Sequence, residues 1–589
     1  MTRRPFPRSG RVLAACALAA LAAAGCKSPS TIDGVNVSSA AARQGMDGID
    51  STSIRARTSF LASDFTEGRA PGTRGGRLAA EYIATEFRAL GLEPGADTSY
   101  YQRVPFVGVT PHPDLTFTSA DGRSRYTPGY LDDFVAWTGR QEGQVDFAGD
   151  LVFVGYGVTA PEYGWDDYDG ADVKGKILVG LVNDPGGTGG SEKFRGDTLT
   201  YYGRWTYKYE EAARRGAAGL ILVHTPASAG YGWSVVSNSW SGEQFEIPND
   251  PGEYHLALQA WVTEAAARRM LGLAGVSLDS LTAAAKDPGF TARPLPLRAE
   301  GDIRSDIERI QSANVVARLP GRDSALRDQV VVYTSHYDHL GIGTPEDGDA
   351  IYNGAKDNAS GTAAIIELAK AYREMDARPR RTVLFAAVTG EESGLLGSAY
   401  LARHPLGDRH VADINMDAIN MYGRTKDMVQ LGGEYSTLGR IFADITRYMG
   451  LEARGDQSPG QGHFFRSDQF SFVQQGVPSI YIEEGRDYAG LPEGTGRERE
   501  EAYRSERYHQ PDDEMLPDYT MGGAAQQARV AFLVGWVAAN AEQPPAWAPG
   551  SPFGSPGPAA DSGAASPADS GAASPAGSAE GGASGSGGS

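Results

Sequence analysis

Five side chains that could bind metal ions lie in separate segments of the chain. They are His336, Asp357, Glu392, Asp417 and His509. Three of them follow apolar runs that predict buried strands, and the carboxyl ends of parallel strands border one crevice in an open α/β sheet. Two imidazoles and three carboxylates can hold two divalent ions if one carboxylate bridges them, and zinc accepts both ligand types. The spacing therefore predicts a two-metal site.

Neighbouring residues indicate how the roles are divided. Asp357 is the predicted bridge, because a glycine-flanked turn at a helix start can direct both of its oxygens. Asp338, two residues after His336, is predicted to accept a hydrogen bond from the second ring nitrogen of that histidine. Glu391 points in a different direction from the adjacent Glu392, which makes it the predicted general base. The chain contains no H-E-x-x-H sequence, so a zinc site of the thermolysin type is excluded.

Each of these residues also has an ordinary explanation. A histidine at a strand end is commonly just the polar end of that strand. Paired glutamates before a helix are commonly first-turn charges that the helix dipole favours. Asp417 could cap a helix. Considered together they favour a functional site, because several carboxylates would lie beyond apolar strands without an obvious cationic partner.

The segments that must position these residues alternate between strand and helix over residues 298–541. Strands are predicted at SANVVARLPG, DQVVVYTS, RTVLFAAVT, ADINMD and VPSIYI. Helices are predicted at ASGTAAIIELAKAYREM, ESGLLGSAYLARH, TLGRIFADITRYMG and MGGAAQQARVAFLVGWVAAN. This alternation predicts a three-layer α/β/α fold with a mostly parallel sheet. Helical patterns at 54–61 and 75–95 assign residues 46–140 to the same domain.

Residues 141–297 have a different pattern, with short strands in VDFAGDLVFVGYGV and AAGLILVH around a helical YKYEEAARRG. We expect a β-rich domain inserted into the first one. Its segments KGKILVGLVND and EEAARRGAAGLILVH resemble a protease-associated (PA) domain. The resemblance implies that the insertion shapes access to a peptidase site and performs no chemistry itself.

Five motifs resemble, in order, those of the zinc exopeptidases that include bacterial leucyl aminopeptidase and glutamate carboxypeptidase II. They are SHYDHLG, GAKDNASG, TGEESGLLGS, NMD and YHQPDD. The resemblance implies two zinc ions with the following ligands: His336 and Asp417 on one, Glu392 and His509 on the other, and Asp357 on both.

The same resemblance implies that peptides are hydrolysed by a metal-activated water. Glu391 matches the general base, Asp338 the residue that orients His336, and Tyr508 the donor that stabilises the tetrahedral oxyanion. Lys356 departs from the family pattern, because a neutral or acidic residue is expected beside the bridging aspartate.

The direction of substrate binding is left open by the motifs. An aminopeptidase is favoured, because PA insertions are common in the bacterial members of that type. Glu483 and Glu484 are candidate anchors for a free amino terminus, and Arg424 is a candidate for a free carboxylate. The alternatives are a carboxypeptidase of the same family, a glutaminyl cyclase with one zinc ion, and a non-catalytic binding protein on the same scaffold.

The two ends of the chain predict export and flexibility. A basic start and an apolar run end in Ala-Ala-Gly-Cys26, which resembles a bacterial lipoprotein box. The expectation is a cell-envelope lipoprotein, anchored through Cys26 to the outer membrane and facing the periplasm or the outside; the alternative is a secretory peptide. Residues 27–45 are predicted to be a tether and residues 542–589 a disordered tail. The net charge of -20 argues against nucleic acid as a partner.

Overall fold

The structure is a computed structural model and describes residues 30–554, apart from positions 187–192, 197, 230–231, 234–235, 238–239, 241 and 408. The leader, including Cys26, and residues 555–589 lie outside the described residues. No helix in the described part is both long and apolar enough to cross a membrane.

One half of the central sheet contains the strands of the predicted strand–helix alternation. Its strands, from the outer edge inward, are Glu452–Arg454, Asp427–Leu431, Ser479–Glu483, Arg409–Asn415, Gln329–His336, Thr382–Val388 and the end of Arg293–Leu319. The three central pairs are parallel, whereas the pairs Asp427–Leu431/Ser479–Glu483 and Arg293–Leu319/Thr382–Val388 are antiparallel. The predicted α/β class with a mostly parallel sheet is confirmed.

Helices cover both faces of this sheet because successive strand residues point to opposite sides. Val331 and Tyr333 belong to the core on one face, and Val330 and Val332 to the core on the other. The first face packs against Ala40–Asp47, Ser51–Leu61, Arg74–Ala89, Ser360–Glu374, Thr437–Tyr448 and Gly522–Asn540. The second face packs against Leu396–Arg403 and Gln469–Gln474. The helix Thr495–Glu506 is mostly exposed.

The other half of the sheet has its own core, formed by residues between Leu115 and Ile303. Its parallel strands are Gln144–Phe153, Ile177–Leu181, Gly219–His224 and Leu258–Thr263, with Phe134–Trp137 antiparallel at the edge. Its helices include Trp205–Arg214, Glu264–Gly272 and Leu278–Ala284.

Two long strands, Tyr101–Ser119 and Arg293–Leu319, pair with each other and run from one core to the other. The chain therefore crosses from one core to the other within these two strands. The domain limits at residues 140 and 297 stay predictions, because no linker marks them.

Two terminal predictions are wrong where the structure describes them. Residues 30–45 are not a free tether. Ile32, Val35 and Val37 are buried in the same core as Val331 and Tyr333, and Ser39 caps the helix Ala40–Asp47. Residues 542–554 are not disordered, because Trp547 and Phe553 pack on an aromatic cluster with Phe464. In both segments, apolar residues within a polar sequence provide the contacts.

Candidate metal centre

The parallel register brings the predicted site residues to one edge of the sheet. His336 is the last residue of its strand and pairs with Val388 on the neighbouring strand, which leads directly to Glu391 and Glu392. On the other side, Thr334 pairs with Asn415, two residues before Asp417. Three carboxyl-end loops therefore begin at the same level, as the strand pattern predicted.

Asp357 lies between the two histidines. Its Oδ1 is 3.2 Å from Nε2 of His336 and its Oδ2 is 3.4 Å from Nε2 of His509. Asp417 Oδ1 also lies 3.2 Å from Nε2 of His336, and Glu392 Oε2 lies 3.1 Å from Nε2 of His509. The five side chains thus form two donor groups that share one carboxylate.

These separations fit a pair of zinc ions. A tetrahedral zinc with ligands at about 2.0 to 2.1 Å has ligand atoms about 3.3 Å apart. The four contacts span 3.1–3.4 Å, and the donors are imidazole nitrogens and carboxylate oxygens. The residues present therefore fit the metal that the motifs imply.

The ring of His336 is oriented for ligation through Nε2. Its Nδ1 lies 3.2 Å from the main-chain oxygen of Asp338, and a carbonyl oxygen only accepts, so Nδ1 carries the proton. The carboxylate of Asp338 is farther away, at 4.0 Å. It accepts instead from the amide N–H of Glu391 at 3.3 Å. The orienting contact thus differs from the prediction: the chain turns after His336, so that the Asp338 carbonyl faces the ring.

The turn that carries Asp357 is held by residues outside the ligand set. The carboxylate of Asp513 accepts from the amides of Lys356 and Asp357, both at 3.1 Å. The side-chain amide of Asn358 donates to Ser335 Oγ at 3.0 Å and to the Met416 carbonyl at 3.1 Å. The peptide bond between Asp357 and Asn358 is cis.

The turn also requires a glycine. Gly354 has φ 55°, and a Cβ there would lie 2.2 Å from the carbonyl oxygen of Asp357 and 2.6 Å from the His339 ring. Any side chain at this position would displace the residue that contacts both histidines.

The electrostatics show a cluster of buried carboxylates around the two histidines. Burial lowers the pKa of His336, but Asp417 and Glu391 outweigh it and raise that pKa well above its ordinary value. Burial, followed by Glu392 and Asp417, raises the pKa of Glu391 well above its ordinary value, although His336 opposes this. Metal ions bound at this site would offset the repulsion between these closely packed carboxylates.

His339 also belongs to the site, although the sequence analysis does not predict it. It is buried, and its Nδ1 lies 2.7 Å from Oε1 of Glu392. Its ring meets that of His509 edge to face at 5.7 Å, and its buried Nε2 has no hydrogen-bond partner among the described residues. The signal was present, since His339 lies inside SHYDHLG. Glu392 is thereby held on one side by His339 and faces His509 on the other.

Tyr508 lies at the opening of the site. It is 46% exposed, and its ring stacks on that of His509 at 3.9 Å. Burial of part of the phenol, followed by the carboxylates of Asp357 and Glu392, raises the pKa of Tyr508 well above its ordinary value. The hydroxyl therefore stays protonated and able to donate a hydrogen bond.

The structure also locates the residues considered for substrate anchoring. Lys356 Nζ pairs with Glu484 Oε1 at 2.5 Å and lies 4.6 Å from the centre of the Tyr503 ring. Glu483 is half-buried, and Arg424 is exposed. Lys356 thus neutralises one of the two predicted acidic anchors.

Comparisons with known proteins find relatives for the part of the chain that contains these residues. Residues 314–532 match the model of Peptidase family M28. Curated relatives include a probable zinc metalloprotease of Leptosphaeria maculans, 42% identical over 93 residues, which are 16% of this chain and 20% of the relative. Another is a probable zinc metalloprotease of Pyricularia oryzae, 40% identical over 94 residues, or 16% of this chain and 18% of the relative.

The chain spans about a fifth of the length of these curated relatives. Among solved structures, one match is the aminopeptidase from Aneurinibacillus sp. strain AM-1, with 18% sequence identity and a TM-score of 0.46. The match covers 85% of this chain and 96% of that one.

Proposed function

We propose that the protein is a zinc-dependent aminopeptidase that removes N-terminal residues from peptides. The observation that carries the proposal is the position of Asp357, whose two oxygens lie 3.2 and 3.4 Å from two histidines. Each histidine has a second carboxylate beside it, Asp417 for His336 and Glu392 for His509. This arrangement is suited to two zinc ions with Asp357 as the shared ligand.

The residues around the ligands divide the chemistry of hydrolysis. A bound zinc pair would polarise the scissile carbonyl and lower the pKa of a water molecule. Glu391 has a donor atom within 4.8 Å of those of His336 and Asp417, and its carboxylate accepts the proton of the attacking water. The same carboxyl group then returns the proton to the leaving amine. Tyr508 donates its hydroxyl hydrogen to the oxyanion of the tetrahedral intermediate.

Acidic groups near the site favour a substrate with a free amine. Glu483 lies two residues beyond Tyr481 on the same face of its strand, and the Tyr481 hydroxyl donates to the carbonyl of Asp417 at 2.9 Å. Burial and the neighbouring Glu500 raise the pKa of Glu483 to about 7, and an approaching ammonium group would favour its ionised form. We therefore assign Glu483, rather than the paired Glu484, as the anchor for the amino terminus.

The test combines metal analysis with matched substrates. The expected result is two zinc ions per chain, rapid hydrolysis of leucine p-nitroanilide, and little hydrolysis of its N-acetyl derivative or of an N-blocked dipeptide. Preference for the N-blocked dipeptide would instead show a carboxypeptidase. One zinc per chain with cyclisation of N-terminal glutamine would show a glutaminyl cyclase. Inactivity after zinc reconstitution would show a binding protein.

Two further parts of the proposal concern the rest of the chain. Residues 141–297 are proposed to be a PA domain that shapes access to the cleft. Support comes from Leu199 and Tyr201, which contact Pro459 and Phe470 of the other half. The protein is also proposed to be an exported lipoprotein of the outer membrane, attached through Cys26. Replacing Cys26 by alanine should move the protein from the membrane fraction to the soluble fraction.

A further inference from the structure

Arg69 is fully buried at the end of the short segment Asp64–Arg69, between the helices Ser51–Leu61 and Arg74–Ala89. Its guanidinium donates four hydrogen bonds, all to main-chain carbonyls. The acceptors are the carbonyl oxygens of Tyr337 at 2.7 Å, Leu61 at 2.5 Å, Asn353 at 2.5 Å and Gly354 at 2.9 Å. One side chain thus joins Leu61, eight positions earlier, to two segments that lie 268 to 285 positions away.

Two of these segments carry metal-site residues. Tyr337 directly follows His336, and Gly354 begins the turn that contains Asp357. The guanidinium therefore connects the main chain beside His336 to the main chain just before Asp357. Displacing either segment would change the distance between these two side chains, which is 3.2 Å between Nε2 and Oδ1.

The charge of Arg69 also bears on the site. Burial lowers the pKa of Arg69 to about 10, although the carboxylates of Asp513, Asp338, Asp357 and Glu392 oppose this shift. The guanidinium is therefore protonated at neutral pH. No ion pair of Arg69 occurs among the described side chains. A buried cation without a contacting carboxylate is costly, and its long-range attraction to the site carboxylates offsets part of that cost.

The main chain around Arg69 allows little adjustment. Arg69 has φ 57° and Gly68 has φ 65°. A Cβ at Gly68 would lie 2.5 Å from the carbonyl oxygen of Gly341 and 2.6 Å from that of Tyr352. These residues belong to the hairpin Gly341–Glu346/Asp349–Tyr352, which connects the His336 segment to the Asp357 turn. The turn at 68–69 is therefore packed directly against the connection between the two ligand segments.

We propose that Arg69 is a positioning residue of the metal centre, which sets the placement of Asp357 relative to His336 by holding both ligand segments through their carbonyls. The inference rests on the metal site of the proposed function. Arg69 itself contacts neither the substrate nor the metal in this assignment.

The test compares Arg69→Lys with the matched variant Arg381→Lys. Arg381 is also fully buried and donates to the carbonyls of Ala538, Ala541 and Glu542 and to Gln329 Oε1. It precedes the strand Thr382–Val388 and so lies at the sheet edge opposite the site. Both variants keep a positive charge and lose the planar fork of donors.

The readouts are zinc affinity by competition with a chelator, the visible spectrum of the cobalt-substituted protein, and thermal unfolding of the metal-free protein. Arg69→Lys should weaken zinc binding by about 10- to 100-fold and alter the cobalt spectrum. Arg381→Lys should lower the unfolding temperature but leave zinc affinity and the spectrum unchanged. Wild-type zinc affinity and spectrum in folded Arg69→Lys would overturn the inference while leaving the proposed function intact.

A second variant keeps the test decisive if Arg69→Lys does not fold. Gly68→Ala retains the guanidinium but displaces the turn that carries it, and the same weakening of zinc binding is expected. Unchanged zinc affinity in folded Gly68→Ala would then overturn the inference. Wild-type protein that binds no zinc would instead remove the proposed function.

Discussion

The hydroxyl of Ser467 donates a 2.6 Å hydrogen bond to Oδ2 of Asp417, while Oδ1 of that carboxylate lies 3.2 Å from Nε2 of His336. Ser467 in turn accepts a 2.7 Å hydrogen bond from the side-chain amide of Asn415. One oxygen of Asp417 is thus held by the protein and the other faces the metal centre. Contacts of this kind orient metal ligands and tune their affinity.

Replacing Ser467 by alanine should therefore weaken zinc binding by about 10- to 100-fold. The reason is that Asp417 loses the contact that fixes its carboxylate plane. Chelator competition measures the effect. Ser471→Ala is the matched control, because Ser471 is also buried but its hydroxyl pairs with Ser398 at 2.9 Å. Equal zinc affinities in the two variants would show that Ser467 does not orient the ligand.

Replacing Glu391 by glutamine should retain zinc and lower kcat by at least about 100-fold, since the amide cannot accept the proton from water. Replacing the adjacent Glu392 by glutamine should instead reduce the zinc content, because its carboxylate lies 3.1 Å from Nε2 of His509. Metal analysis and steady-state kinetics on the same preparations separate these outcomes. A Glu391→Gln enzyme that turns over at the wild-type rate would exclude Glu391 as the base.

Replacing Tyr508 by phenylalanine should lower kcat by about 100-fold and leave KM and zinc content nearly unchanged, because the hydroxyl acts on the oxyanion. Tyr503 offers a control, since its ring lies 6.1 Å from that of Tyr508 but its hydroxyl donates to Asp513 at 3.2 Å. Tyr503→Phe should have the smaller effect on kcat. The assignment fails if kcat is the same in Tyr508→Phe and the wild type.

The two glutamates after the strand Ser479–Glu483 should behave differently. Glu483→Gln should raise KM for leucine p-nitroanilide with little change in kcat, because it removes the proposed anchor for the amino group. Glu484→Gln should lower the free energy of unfolding by roughly 1–3 kcal/mol, since it leaves the partly buried ammonium of Lys356 without its carboxylate. Kinetics and chemical denaturation measure the two effects. A KM increase confined to Glu484→Gln would reverse the assignment.

The positions of His336, Glu392 and Asp417 could be predicted because each follows a strand whose apolar composition is recognisable in the sequence. The parallel arrangement of these strands then brings their carboxyl ends to one edge of the sheet, and this can be predicted without knowing any side-chain contact. His339 and Asp513 lie inside recognised motifs, but their contacts with Glu392 and with the Asp357 turn depend on how loops fold back.

Arg69 and Ser467 could not be predicted in the same way. Arg69 contacts carbonyls of residues up to 285 positions away, and main-chain acceptors leave no trace in the sequence. Sequence patterns also do not predict the pairing of the long strands Tyr101–Ser119 and Arg293–Leu319. These strands lie before and after most of the residues that form the core between Leu115 and Ile303. Local patterns predict elements, and long-range pairings decide which residues meet.

Acid should destabilise the protein partly through His410, at the start of the strand Arg409–Asn415. Burial lowers the pKa of His410 to about 4. Its buried Nε2 has no hydrogen-bond partner in the part of the chain that the structure describes, and its ring packs 5.6 Å from that of Phe472. The unfolded chain binds a proton near pH 6.5, so the unfolded state takes up the proton first. This contribution to stability is complete above pH 6.5 and is lost as the pH falls toward 4.

The variant His410→Leu should therefore lose less stability than the wild type between pH 6.5 and 4, by up to about 3 kcal/mol. Denaturation with urea at a series of pH values measures the difference, and the metal-free protein avoids interference from zinc release. His404→Leu is the control, because His404 is exposed and its replacement should leave the pH dependence of the wild type unchanged. Parallel stability curves for His410→Leu and the wild type would mean that His410 does not resist protonation in the folded state.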